Sequence, residues 1–188
     1  MYNQNQYPYW FNPQMCYMYP PPYWFNPQMY SMCMKSYPNN QQPYMFNYNT
    51  MPINLKDYGP EPFVININDA TKQNNTFRTA LWTGEKLQVT LMSINVGDDI
   101  GLEVHKTADQ FIRVEDGQGI VIMGDSKNNL YFQKRIYDDF AIMIPAGKWH
   151  NIINTGNQPL KVYAIYAPPQ HPRGTVHQTK SDAEAAEH

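Results

Sequence analysis

The chain has 188 residues and a formal net charge of −2, with 42% hydrophobic and 16% charged residues. So even a balance excludes the basic footprint of a nucleic-acid binder and the polybasic surface of a membrane-associated protein. No run of about eighteen apolar residues occurs and no basic stretch followed by an apolar one opens the sequence. Neither a spanning helix nor a signal peptide is therefore expected, and the expected location is the cytoplasm.

Composition changes near residue 52, which divides the chain into a low-complexity tail, 1–52, and a body, 53–188. The tail is rich in Tyr, Pro, Met, Asn and Gln, and Lys35 is the one charged residue among its first fifty. It contains the segment PYWFNPQM twice, at Pro8–Met15 and Pro22–Met29. Frequent prolines, among them the run Pro20, Pro21 and Pro22, interrupt any helix or central strand, and aliphatic residues are scarce, so the tail is expected to be disordered in isolation. Uncharged polar and aromatic residues in alternation self-associate readily. The Tyr and Met residues, with Cys16 and Cys33, also invite oxidative cross-linking. Two readings stand: an extension without a role, or an assembly and anchoring segment.

The body begins with a turn at Asp57-Tyr58-Gly59-Pro60, then strand character over 63–67 and a short helix through Gln73 capped by Asn68 or Asp69. Strand-like runs follow at 86–94, 100–105, 110–123, 129–137, 140–147, 150–156 and 160–169, rich in β-branched and aromatic residues and separated by Gly, Asp, Asn and Pro. A second short helix is expected from Ser181. The body is long enough for a real core and reads as an all-β sandwich or barrel with short flanking helices.

Two stretches carry chemistry. In GLEVHKTADQFIRVEDGQG (101–119), Glu103 and His105 stand two apart on a strand and leave the same face, and Gln110 opens the next strand. In PAGKWHNIIN (145–154), Pro145 and Gly147 shape a turn that delivers His150 at a strand start, and Asn154 is placed to brace the following turn. Arg113 alternates with Gln110 and Ile112 and is expected to face away from these groups.

These residues resemble the two motifs of the cupin superfamily, small jelly-roll β-barrels with a metal in the barrel. Pro145, Gly147, His150 and Asn154 match the second motif, with Asp139 where that motif opens on glycine. In the first motif Gly97 and Gly117 fit its glycines, His105 its second histidine, Glu103 stands at the first histidine and Gln110 at the glutamate. The body also resembles single-domain bacterial cupins of the mannose-6-phosphate isomerase-like group, through RTALWTG, GLEVH, DQF, IPAG and APPQHPRGTVH. The tail is similar in composition to spore-coat tails.

The resemblance implies a cupin jelly-roll β-barrel holding one divalent metal ion, zinc, iron, manganese or nickel, on Glu103, His105, Gln110 and His150. Gln110 is either a fourth ligand or a hydrogen-bonding neighbour of a bound water. Glu103 doubles as a candidate base, and Arg173 and Lys180 are the candidate substrate-binding cations for an anionic small molecule. His171 and His177 are surface or lid residues, or reach the barrel mouth. Three functions follow: a metal-dependent enzyme, isomerase or oxygenase, acting on a small molecule; a non-catalytic binder; or a structural cupin, such as a spore-coat component, recruited by its tail to assembly partners. The resemblance also implies a homodimer.

Overall fold

A computed structural model describes residues 52–186. The elements, in chain order, are α1 (Ile67–Gln73), β1 (Arg78–Thr83), β2 (Gln88–Ile94), β3 (Glu103–Val104), β4 (Asp109–Asp116), β5 (Gln118–Gly124), β6 (Phe132–Tyr137), β7 (Ala141–Ile144), β8 (Trp149–Asn154), β9 (Leu160–Ala167), β10 (Val176–His177) and α2 (Lys180–Ala186). They form a six-stranded sheet, β10-β1-β2-β9-β4-β7, facing a four-stranded one, β3-β8-β5-β6. All the pairings are antiparallel, which gives the two-sheet jelly roll expected from the sequence. No helix among the described residues is long and apolar enough to cross a membrane. The expectations for the tail's structure lie outside the described residues.

Alternation along the strands sorts the side chains into two cores. Met92 and Ile94 of β2, Ile112 and Val114 of β4, and Leu160, Val162 and Ala164 of β9 point between the sheets and meet Val121, Ile136 and Ile152 of the other sheet. The Val, Leu, Ile and Met side chains among them each contribute about 1.5–3 kcal/mol by leaving water. The outer face of the six-stranded sheet is covered as well: Leu81 and Leu91 pack under Ala70 of α1, with Ile65 and Ile67 beside them.

That covering corrects two local expectations. The segment 63–66 is not a strand: Asn66 caps α1 by accepting the amide N–H of Asp69, so the helix starts at Ile67 and its apolar residues lie on the sheet. The run 110–123 is two strands, because Gly117 adopts a φ of 90° and turns the chain back between β4 and β5.

The register also grades the interior from apolar to polar. Ile94 pairs with Leu160 and Met92 with Val162, whereas Thr90 pairs with Ala164 and Gln88 with Tyr166. Gln110 pairs with the same Tyr166 from the other side. One end of the barrel is therefore hydrocarbon, and the other is lined by groups that need hydrogen-bond partners.

Candidate metal centre

The polar end is where the two sheets bring the sequence's candidate ligands together. Glu103 of β3 is the register partner of His150 at the start of β8. The turn before β8 places both histidines: Gly147, at φ 81°, donates its N–H to the carbonyl of His105 at 2.8 Å. A side chain at that φ would be strained, so the glycine that shapes the turn also ties the two ligand-bearing segments together.

Glu103 Oε1 lies 3.3 Å from His105 Nε2 and 3.2 Å from His150 Nε2. These separations are close to the ~3.4 Å between ligand atoms that bonds of about 2.1 Å to one tetrahedral cation require. All three ligand atoms fall within 4.8 Å of one another, so the group fits a single metal ion. His150 is fully buried, and its Nδ1 donates to the Lys148 carbonyl at 3.0 Å, so a metal that takes the place of the Nε2 proton would meet a lone pair aimed at the centre.

The electrostatics favour a ligand over a base at Glu103. Burial pushes the carboxyl pKa up, but hydrogen bonds from His105 and His150 and their charges outweigh it and hold the group well below the ordinary carboxylate value. A carboxylate so stabilised has little affinity for a substrate proton.

Gln110 faces the interior from β4, next to Tyr166, whose ring meets the His105 ring edge-on with centroids 5.2 Å apart. Gln110 is 3% exposed, and neither its Oε1 nor its Nε2 has a hydrogen-bond partner. Such an amide is costly unless something not of this chain meets it.

Arg173 and Lys180 are placed otherwise. The Arg173 guanidinium donates to the Gly59 carbonyl, and Lys180 Nζ sits 2.9 Å from Asp99 and 3.2 Å from Asp98. The cation against Glu103 is instead Arg78, whose Nη2 is 3.9 Å from Glu103 Oε2 and whose side chain is 1% exposed. The strand-like runs seen in the sequence did not include β1, which carries it; a lone arginine leading TALWT was the available signal. His171 is also inside: its ring lies edge-on to Tyr166 at 5.2 Å, on a loop held by the buried Gln88. Burial first, and the charge of Arg78 second, lower its pKa to about 3, so the imidazole is neutral at physiological pH. Arg113 does face away, bound to Glu115 and Asp139. Asp139, in place of the motif glycine, holds a glycine-like φ of 70°.

Residues 90–166 match the Cupin domain family model. The chain is 71% identical over 133 residues to the Bacillus subtilis (strain 168) protein YrkC, covering 71% of this chain and 72% of that one. The chain belongs to the cupin family. A second relative, the Acanthamoeba polyphaga mimivirus protein L612, is 37% identical over 115 residues, 61% of this chain and 70% of its own. The crystal structure of BH2720 from Bacillus halodurans superposes with a TM-score of 0.69 at 65% identity, over 70% of this chain and 99% of that one.

Proposed function

We propose that this cupin binds one divalent metal ion through Glu103, His105 and His150 and uses it to bind or transform a small molecule at the polar end of the barrel. The observation that carries this reading is the convergence of the three ligand atoms from two strands and a turn, with the His150 tautomer set by Lys148. The bound metal would supply Lewis acidity toward a carbonyl or a water, or redox chemistry if it is iron. The protein's own part is to hold Glu103 ionised, to orient His150, and to keep bulk water away through the buried walls around Tyr166. Proton transfer of the isomerase kind would fall to a group other than Glu103.

Elemental analysis of the purified full chain beside a His105→Ala, His150→Ala double variant tests the reading. Stoichiometric metal lost in the variant supports it. Absence of metal from the parent after reconstitution with zinc, iron, manganese and nickel would overturn it.

A second reading is favoured by one observation, the duplicated PYWFNPQM: a structural cupin that the tail attaches to an assembly such as a spore coat. Its test is whether removing residues 1–51 abolishes self-association of the purified protein while metal binding stays unchanged.

A further inference from the structure

The polar end of the barrel holds groups that gripping a cation does not use. The buried guanidinium of Arg78 lies beside Glu103 and against the Phe77 ring. The buried amide of Gln110 has no partner, and its Nε2 needs an acceptor, which no metal can be. His171 has a buried Nε2 without a hydrogen-bond partner, although its backbone is fixed: Gln88 Nε2 donates to the His171 carbonyl at 2.9 Å, and Gln88 Oε1 accepts the His171 N–H at 3.0 Å. A ring held in place with an unmet nitrogen is organised for something that arrives later.

Charge indicates what arrives. Glu103 and Arg78 offset each other, so a divalent cation on the three ligands brings positive charge that neither of them compensates. Buried charge of one sign is unfavourable, and an anion follows the metal into the site. Resting on the metal reading above, we propose that Arg78, Gln110 and His171 form an acid-binding pole of the barrel, and that its small molecule carries a carboxylate. The planar fork of one arginine matches two coplanar carboxylate oxygens, while Gln110 and His171 hydrogen-bond the remaining oxygen atoms of the ligand. A phosphate ester would call for more cations, and Arg173 and Lys180 are committed to Gly59 and to Asp98 and Asp99.

Calorimetric titration of the zinc-loaded and the metal-free full chain with malonate, inorganic phosphate and glucose tests the assignment, with zinc content measured on every sample before and after. Malonate binding to the zinc-loaded protein is expected, weakened about tenfold or more by Arg78→Lys, which keeps the charge but loses the fork, and to a similar degree by His171→Phe. Circular dichroism verifies that both variants are folded, and Lys at 78 keeps the buried charge that Glu103 faces. Malonate affinity unchanged in both folded variants overturns the pole. Tighter binding of phosphate than of malonate, or equal binding of glucose, overturns the carboxylate. If zinc never loads, the metal reading alone fails; Arg78-dependent malonate binding is still expected in the metal-free arm, more weakly, and its absence there overturns the pole itself.

Discussion

Glu103 and His150 are 47 residues apart in sequence yet face each other as register partners, with Oε1 and Nε2 3.2 Å apart. The pairing is made by backbone hydrogen bonding between β3 and β8, so the ligand geometry is inherited from the sheet and not from side-chain flexibility.

The first prediction follows for ligand removal. His150→Ala takes away a fully buried donor whose tautomer is already set, and is expected to abolish stoichiometric metal uptake. Glu103→Gln keeps the shape but loses the charge, and metal affinity should fall by about 10–100-fold or more, since changes even one shell further out cost that much. Competition with a chromogenic chelator reads both. Retention of parental affinity by Glu103→Gln would remove the carboxylate from the ligand set.

Gly147 provides a second test, because it acts on the site only through the backbone. Gly147→Val places a β-branched side chain at φ 81° and is expected to destabilise the protein by about 1–2 kcal/mol. Because the Gly147 N–H holds the His105 carbonyl, metal affinity should fall as well, although neither ligand is altered. Urea unfolding and metal competition on the same sample measure the two effects. Unfolding that is weakened without loss of metal affinity would show that the turn does not position the ligands.

The third prediction concerns pH. The His171 pKa is lowered from 6.5 to about 3 in the fold, so between those values the unfolded chain takes up a proton that the native protein refuses. Stability from this group is therefore full above pH 6.5 and falls as the pH drops toward 3. Between pH 7 and pH 5 the loss is about 2 kcal/mol at most. Glu103, whose pKa is also lowered, begins to contribute only below its unfolded value of 4.5, so it leaves this window untouched. In metal-free protein, His171→Phe should flatten the dependence of unfolding free energy on pH over 7 to 5. An unchanged slope would place the imidazole in solvent.

Much of this was legible in the sequence, for physical reasons that differ from residue to residue. β2, β4, β5, β8 and β9 carry β-branched runs that suit a pleated, half-buried surface, and they emerged where such runs stand. Glu103 and His105 were legible because the two-residue period of a strand puts both on one face whatever the fold around them. The Asn154 brace was legible from local spacing too: its Nδ2 donates to the carbonyls of Ile94 and Gln158, and its Oδ1 accepts the Gly156 N–H. Arg78 was not legible, because its meaning arises from Glu103, a residue of the opposite sheet. His171 was hidden for a similar reason: its burial depends on Gln88, 83 residues earlier, gripping the loop. Contacts across the barrel leave no mark on local periodicity.

The last prediction separates tail from barrel. The solved chain of BH2720 from Bacillus halodurans is matched over 99% of its length by 70% of this chain, so that share of the sequence corresponds to a complete barrel in the solved structure. Both described cores are built from residues downstream of Met51, and so are all three ligands. Removing residues 1–51 is therefore expected to leave metal stoichiometry unchanged and to shift the unfolding free energy by less than about 0.5 kcal/mol, the range of changes that touch no packed group. Urea titration of the truncated and full chains, with metal content determined on each, checks both numbers. A larger loss of stability would mean that the repeated segments pack on the barrel and belong to its fold. An unchanged barrel would confine the role of the repeats to contacts outside it, which is where the attachment reading puts them.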